Sequence, residues 1–196
     1  MVTFSITLGP SSFTTSRPPM NTLLIIDMQN AWLNNPAQPC FDSAGVVGRI
    51  NHAASHIRAQ GGKVIFVQHS DADAGIGSAP WQVIPALEQA ATDSTVQKLA
   101  GDSFAATDLA AQLAASATTT LYISGFATEF CIDTAVRAAA SRGLHVVVLS
   151  DAHTTADRPH LAAPAIIAHH NWVWSGLPVP ADSSLTVCTT AEAFPA

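Results

Sequence analysis

The chain has 196 residues, of which 48% are hydrophobic and 11% are charged, and its formal net charge at pH 7 is −6. This length and composition are typical of one globular domain with a sizeable core. The 8 Lys and Arg residues form no basic stretch, which argues against binding to nucleic acid or to an acidic membrane. No apolar run reaches the length of a membrane span.

Apolar runs and helical periodicities alternate along the chain. Strands are predicted at 22–27, 63–68, 95–98, 120–124, 144–150 and 184–188, and helices at 43–60, 105–116, 129–142 and 159–170. The segment 70–85, rich in Gly, Asp and Pro, is predicted to be a long loop, and such loops are often functional. This alternation predicts βαβ units and an α/β fold of three layers, αβα, around a mostly parallel central sheet.

The N-terminal segment and the cysteines indicate the domain organisation and the cellular compartment. Residues 1–20 are rich in Ser, Thr and Pro and lack the basic start and long apolar stretch of a secretory signal, so we interpret them as an N-terminal tail. Residues 21–196 are predicted to form a single domain. Cys40, Cys131 and Cys188 form no C-x-x-C pair, which favours a cytoplasmic protein with at least one free thiol.

Three chemically useful side chains follow predicted strands. Asp27 ends the first strand, Lys98 ends the 95–98 segment, and Cys131 follows the 120–124 strand through a turn that contains a glycine. In parallel α/β sheets the active site lies at the carboxyl ends of the strands. Cys131 also lies near the start of a predicted helix, where backbone N–H groups and the helix dipole favour a thiolate.

These observations predict a catalytic site made of Asp27, Lys98 and Cys131. Asp27 would accept the thiol proton, and Lys98 would stabilise the carboxylate and the thiolate by charge. The backbone N–H groups of Ala127 and Cys131 are predicted to hold the oxyanion. A buried, inert cysteine is the ordinary alternative for Cys131, but the turn, the helix start and the two charged partners favour a nucleophile.

Four side chains from loops at strand ends are predicted to bind the substrate: Gln29, Trp32, His69 and Trp81. For the two tryptophans, a role in packing is an equal alternative. Cys40 and Cys188 are interpreted as inert thiols.

Seven segments carry a resemblance to a known family: LLIIDMQNAW (23–32), QHSD (68–71), WQVIPAL (81–87), VQKLAGDSF (96–104), SGFATEFCIDTAVRAA (124–139), DAHTT (151–155) and IIAHHN (166–171). Through them the chain resembles the isochorismatase-like cysteine hydrolases, which include nicotinamidases, N-carbamoylsarcosine amidohydrolases and ureide hydrolases. The resemblance implies a Rossmann-like hydrolase fold with Asp27, Lys98 and Cys131 as the triad. It also implies a cis peptide bond between Phe126 and Ala127.

The resemblance further implies an enzyme that hydrolyses a C–N bond of a small amide, carbamoyl or ureide substrate through a thioester. Two alternatives remain: a vinyl-ether hydrolase of the isochorismatase type, which would not need the thiol, and a non-catalytic binding protein on the same fold. A redox thiol protein is less favoured, because the sequence offers no resolving cysteine.

The same resemblance implies what to expect of cofactors and partners. Metal-dependent relatives carry an Asp-x-His motif that is missing after Trp32, so we expect neither a metal nor any other cofactor. The low charge and the resemblance favour a homo-oligomer, either a dimer or a tetramer. The candidate interface comprises the Ala-rich helices and the segment 166–177, with Trp172 and Trp174 expected on its surface.

Overall fold

The computed structural model describes residues 20–195, so residues 1–19 of the expected N-terminal tail lie outside the described part. The strands are β1 (Met20–Ile26), β2 (Lys63–His69), β3 (Ser94–Lys98), β4 (Thr118–Phe126), β5 (His145–Thr154) and β6 (Ser184–Cys188). They form one six-stranded sheet in the order β3-β2-β1-β4-β5-β6. Every neighbouring pair is parallel, which confirms the predicted α/β class.

Helices cover both faces of this sheet. They are α1 (Asn30–Leu33), α2 (Ser43–Ala59), α3 (Leu109–Ala115), a π-helix (Thr128–Ile132), α4 (Asp133–Ala140), α5 (Ala163–Ser175) and α6 (Thr190–Ala193). Side chains of β1 alternate between two cores: Leu23 and Ile25 pack with α2, whereas Leu24 and Ile26 pack with α3 and α4. A strand buried on both faces is therefore an uninterrupted apolar run, as its sequence shows.

Three helices differ from the sequence prediction. The helix predicted over 129–142 is a π-helix (Thr128–Ile132) followed by α4 (Asp133–Ala140). Helix α3 begins later than residue 105 because Ala106 has a φ of 55°, a left-handed conformation that a right-handed helix does not contain. Helix α5 begins and ends further along the chain than the predicted 159–170. Its start is set by Asp157, whose carboxylate accepts a hydrogen bond from the Ala163 N–H at 2.8 Å.

The surface expected of helix α5 is also partly different. Trp172 is 74% exposed, as expected, but Trp174 is fully buried. The indole N–H of Trp174 donates a hydrogen bond to the carboxylate of Asp133 at 2.7 Å. The prediction that Trp174 lies on the surface is therefore wrong, because its ring fills the core between α5 and α4.

The order of the strands fixes the position of the site. From β1 the chain adds strands towards one edge of the sheet (β2, β3), and from β4 it adds them towards the other edge (β5, β6). Ligands of such sheets bind at this switch point between β1 and β4, outside the carboxyl ends of the strands. Gly125, near the end of β4, has a φ of 119°, and a Cβ atom there would overlap the carbonyl oxygen of Ile26. Only glycine therefore allows β4 to approach β1 this closely beside Asp27.

Within residues 20–195, no helix is long and apolar enough to cross a membrane.

Candidate active site

Asp27 and Lys98 form a buried ion pair at the carboxyl edge of the sheet. Asp27 follows β1 with a φ of 52°, a conformation that aspartate tolerates better than most residues, and its N–H is held by the carbonyl oxygen of Val67 at 2.9 Å. Lys98 ends β3 opposite His69 of β2. Its Nζ lies 2.8 Å from Oδ2 of Asp27, and the two side chains are 0% and 4% exposed.

Cys131 completes the group from the other side of the switch point. It lies in the π-helix that follows β4, and Nζ of Lys98 donates a hydrogen bond to its Sγ at 3.0 Å. The same ammonium group donates to the carbonyl oxygen of Ala100 at 3.2 Å. Lys98 therefore bridges Asp27 and Cys131, and the three predicted catalytic side chains come together in one place.

Burial and charge set the protonation of the ion pair. Burial raises the pKa of the Asp27 carboxyl above its usual range, although the charge of Lys98 acts in the opposite direction. For Lys98, burial acts to lower the pKa, but the Asp27 carboxylate and the hydrogen bonds to Asp27 and Cys131 act in the opposite direction, and the net effect raises the pKa. Lys98 therefore stays an ammonium ion, and Asp27 is a stronger base than a solvated carboxylate.

The thiol of Cys131 is protonated at neutral pH. Burial and, after it, the charge of Asp27 raise its pKa to about 12, although Lys98 acts to lower it. Burial therefore acts against the thiolate that the helix start was expected to favour. A thiol with this pKa becomes a nucleophile only if a neighbouring base takes its proton during attack, and Asp27 is placed for that role.

The turn that carries Cys131 is anchored to the segment that follows β5. The Phe126–Ala127 peptide bond is cis. The carboxylate of Glu129 accepts hydrogen bonds from Nε of Arg158 at 2.6 Å and from the hydroxyl of Thr155 at 3.0 Å. These contacts fix the backbone of the turn to the segment that follows β5.

A cavity of about 290 Å³ opens directly onto Cys131. Its lining consists of Asp27, Trp32, His69, Asp71, Gly101, Phe126, Ala127, Phe130 and Cys131. Apart from Asp27, Cys131 and Asp71, the walls are mainly aromatic. Ala127 and Cys131, whose backbone N–H groups are predicted to hold the oxyanion, both belong to the lining.

The four predicted substrate-binding side chains divide into two pairs. Trp32 and His69 line the cavity, whereas Gln29 and Trp81 do not. Gln29 is fully buried, and its amide group donates to the carbonyl oxygens of His69 and Trp81 at 2.9 and 2.8 Å. Its Oε1 accepts the His69 N–H at 2.8 Å. Gln29 therefore holds backbone, and Trp81 is buried outside the lining of the cavity.

Three lining side chains were missed by the sequence prediction: Asp71, Phe126 and Phe130. Phe126 ends β4 and Phe130 directly precedes Cys131, so their positions near Cys131 in the sequence were the available signal. Asp71 belongs to the QHSD segment, but nothing in the sequence shows that this residue belongs to the lining of the cavity.

Metal ligands do not converge in the described part of the chain. Within residues 20–195, no group of three or more His, Cys, Asp or Glu side chains could hold a metal ion. His153, in the Asp-x-His spacing of residues 151–153, instead bonds to Thr128 and Asn171.

Comparison with known proteins places the chain in a family. A model described as the isochorismatase domain matches residues 21–171. The chain belongs to the isochorismatase family. A solved structure described as an isochorismatase family protein shares 31% sequence identity and a TM-score of 0.79, and the match covers 86% of this chain and 98% of that chain. The resemblance inferred from the sequence is therefore confirmed.

Two solved structures with lower sequence identity share the fold of this chain. A cysteine hydrolase from Pseudomonas syringae pv. phaseolicola 1448A has 24% identity and a TM-score of 0.82, covering 91% of this chain and 92% of that chain. An N-carbamoylsarcosine amidase from Thermoplasma acidophilum has 22% identity and a TM-score of 0.67, covering 87% and 96%. At these identities the likeness is one of fold. No curated protein matches the chain.

Proposed function

We propose that this isochorismatase-family protein is a cysteine hydrolase that cleaves a C–N bond of a small amide, carbamoyl or ureide substrate. The observation that carries the proposal is the position of Lys98, whose Nζ lies 3.0 Å from Sγ of Cys131 and 2.8 Å from the carboxylate of Asp27. An ammonium ion between a thiol and a carboxylate stabilises the thiolate that forms when the proton moves.

The first half of the proposed reaction forms a thioester. Asp27 takes the proton from Cys131 as Sγ attacks the carbonyl carbon, and the oxygen becomes an oxyanion beside Ala127 and Cys131. When the C–N bond breaks, Asp27 returns the proton to the leaving nitrogen, which departs as ammonia or an amine. The acyl group stays on Sγ.

The second half releases the acid. Asp27, again a carboxylate, takes a proton from a water molecule while the oxygen of that water attacks the thioester carbon. The C–S bond breaks, Sγ of Cys131 regains a proton from Asp27, and the product leaves. The raised pKa of Asp27 suits both steps, since the group must accept and then return a proton.

Location and assembly follow the same proposal. A small-molecule hydrolase with free thiols suits the cytoplasm, and we retain a homo-oligomer as the expected form.

Ammonia or amine release from a panel of carboxamides, carbamoyl amino acids and ureides tests the proposal. Intact-protein mass spectrometry after rapid acid quenching should show the acyl adduct on Cys131 with a good substrate. Cys188→Ala, which removes a thiol of β6, is the matched control and should keep both signals. Turnover of a vinyl ether with no loss after iodoacetamide treatment would instead support the alternative hydrolase.

A further inference from the structure

The charges around the cavity are unequal. The carboxylate of Asp27 is paired with Lys98, and that of Glu129 is paired with Arg158, so these two pairs carry little net charge. Asp71 is different. The candidate cation nearest to it is His69, whose Nε2 lies 3.8 Å from Oδ2 of Asp71, longer than a hydrogen bond.

Asp71 is held in a fixed orientation. Its Oδ1 accepts hydrogen bonds from the backbone N–H groups of Asp73 and Ala74, both at 2.9 Å. This arrangement leaves Oδ2 as the atom that approaches His69, which also lines the cavity. The side chain of Asp71 is 39% exposed, but these hydrogen bonds hold its carboxylate in one orientation.

Aromatic rings form much of the remaining wall. Trp32, Phe126 and Phe130 line the same cavity as Asp71. The guanidinium of Arg158 lies 5.3 Å from the centre of the Phe130 ring, which shows that a cation already rests on one of these rings. Aromatic faces attract cations and a carboxylate attracts them further, whereas both repel an anion.

We propose that the cavity selects substrates whose part remote from the scissile bond is positively charged, and that Asp71 with the aromatic walls rejects substrates bearing a carboxylate there. The proposal rests on the proposed function of the site. Lys98 does not offset Asp71 for such a substrate, because its ammonium group is buried and bonded to Asp27, Cys131 and Ala100.

Charged thiol reagents test this selection without any substrate turnover. Trimethylammonioethyl methanethiosulfonate is the cationic probe, sulfonatoethyl methanethiosulfonate the anionic probe, and methyl methanethiosulfonate the neutral reference. Labelling of Cys131 is followed by peptide mass spectrometry, with Cys188 of the same molecule as the internal standard. We expect the cationic probe to label Cys131 faster than the anionic one, relative to Cys188.

The decisive comparison is between two variants of the same loop. Asp71→Asn keeps the oxygen that accepts the two backbone N–H groups, and it should lower the cation-to-anion rate ratio at Cys131 by about fivefold. Asp73→Asn makes the same change of charge at an exposed neighbour outside the cavity lining and should leave the ratio unchanged. An equal ratio in wild type and Asp71→Asn overturns the proposal, as does faster labelling by the anionic probe. Failure of the neutral reagent to reach Cys131 overturns it too.

A pair of amides extends the test to catalysis. The cationic γ-aminobutyramide should be hydrolysed with a higher kcat/KM than the anionic succinamate, and Asp71→Asn should narrow that difference. If no amide in any panel is turned over, the proposed function fails, while the labelling ratio still decides the charge selection.

Discussion

Thr128 and His153 are joined by a hydrogen bond of 2.9 Å that ties the π-helix carrying Cys131 to the end of β5. The amide N–H of Asn171 donates to the carbonyl oxygen of Ser150 at 3.0 Å, so its Oδ1 faces Nε2 of His153 as an acceptor, also at 3.0 Å. Nε2 must therefore carry the proton, and Nδ1 accepts from the Thr128 hydroxyl. The imidazole is thus held as one neutral tautomer.

This neutral histidine should make stability depend on pH. Burial lowers the pKa of His153 from 6.5 to about 4, with His170 acting in the same direction and Asp151 in the opposite one. Above pH 6.5 the imidazole is neutral in both folded and unfolded chains, so no penalty arises. As the pH falls towards 4, only the unfolded chain takes up the proton, and the free energy of unfolding should fall by about 3 kcal/mol.

Urea denaturation at several pH values measures this loss. His153→Asn should be less stable at neutral pH but should lose less stability between pH 6.5 and pH 4 than wild type. His145→Asn removes an exposed histidine from the start of the same strand and serves as the control. Identical pH slopes in wild type and His153→Asn would show that His153 is not held neutral.

Replacement of the proposed nucleophile should separate activity from folding. Cys131→Ala should lose activity by several orders of magnitude while keeping its melting temperature near that of wild type, because the thiol is half-buried beside Lys98. Cys40→Ala should keep most activity, since Cys40 does not line the cavity and its thiol contacts the carbonyl oxygen of Trp32 at 3.6 Å. Steady-state ammonia release checks both variants, and activity in Cys131→Ala would refute the mechanism.

The Asp27–Lys98 pair should behave as one unit in stability as well as in rate. Lys98→Met leaves a buried carboxylate without its partner and should lower the free energy of unfolding by about 3–5 kcal/mol. Asp27→Asn leaves the buried ammonium group without its partner and should cause a similar loss. The double variant removes both charges, so its loss should be clearly smaller than the sum of the two single losses. Each variant should be almost inactive. Stability losses that simply add, measured by urea denaturation, would contradict a coupled pair.

The expected oligomer should depend on helix α5. Trp172 is 74% exposed on α5, which packs on the sheet face opposite α2. Light scattering at micromolar concentration should give a dimer or tetramer mass, and Trp172→Lys should shift it towards the monomer. Gln60→Lys adds the same charge at the end of α2 and should leave the mass unchanged. A monomeric wild type would refute this prediction.

Activity should not depend on a metal ion. In the proposed chemistry the thiol of Cys131 supplies the nucleophile and backbone N–H groups stabilise the oxyanion, so no Lewis acid is needed. The His and Asp side chains of residues 151–153 have other partners, which also argues against a ligand set there. Dialysis against a chelator should leave the turnover rate unchanged. Loss of activity with recovery on addition of zinc would return metal-dependent substrates to consideration.

The sequence was sufficient to predict the parallel sheet and the convergence of Asp27, Lys98 and Cys131 at its carboxyl edge. Apolar runs such as that of β1 identify buried parallel strands, and the residues after them must meet at one edge. The sequence was insufficient where contacts between distant segments determine the role of a side chain or its pKa. Gln29 follows β1 as a polar residue with no sign that the backbone of His69 and Trp81 would use its amide. The pKa of Cys131 depends on burial, which the helix position alone does not show.

The amide of Gln29 also holds backbone near the cavity. It donates to the carbonyl oxygen of His69, the last residue of β2, and to that of Trp81 in the segment between β2 and β3. Movement of Trp81 away from this position would break the hydrogen bonds that its carbonyl oxygen accepts from the buried amides of Gln29 and Gln68. The backbone at Trp81 is therefore already ordered in the free protein, so binding a substrate need not spend conformational entropy on ordering it.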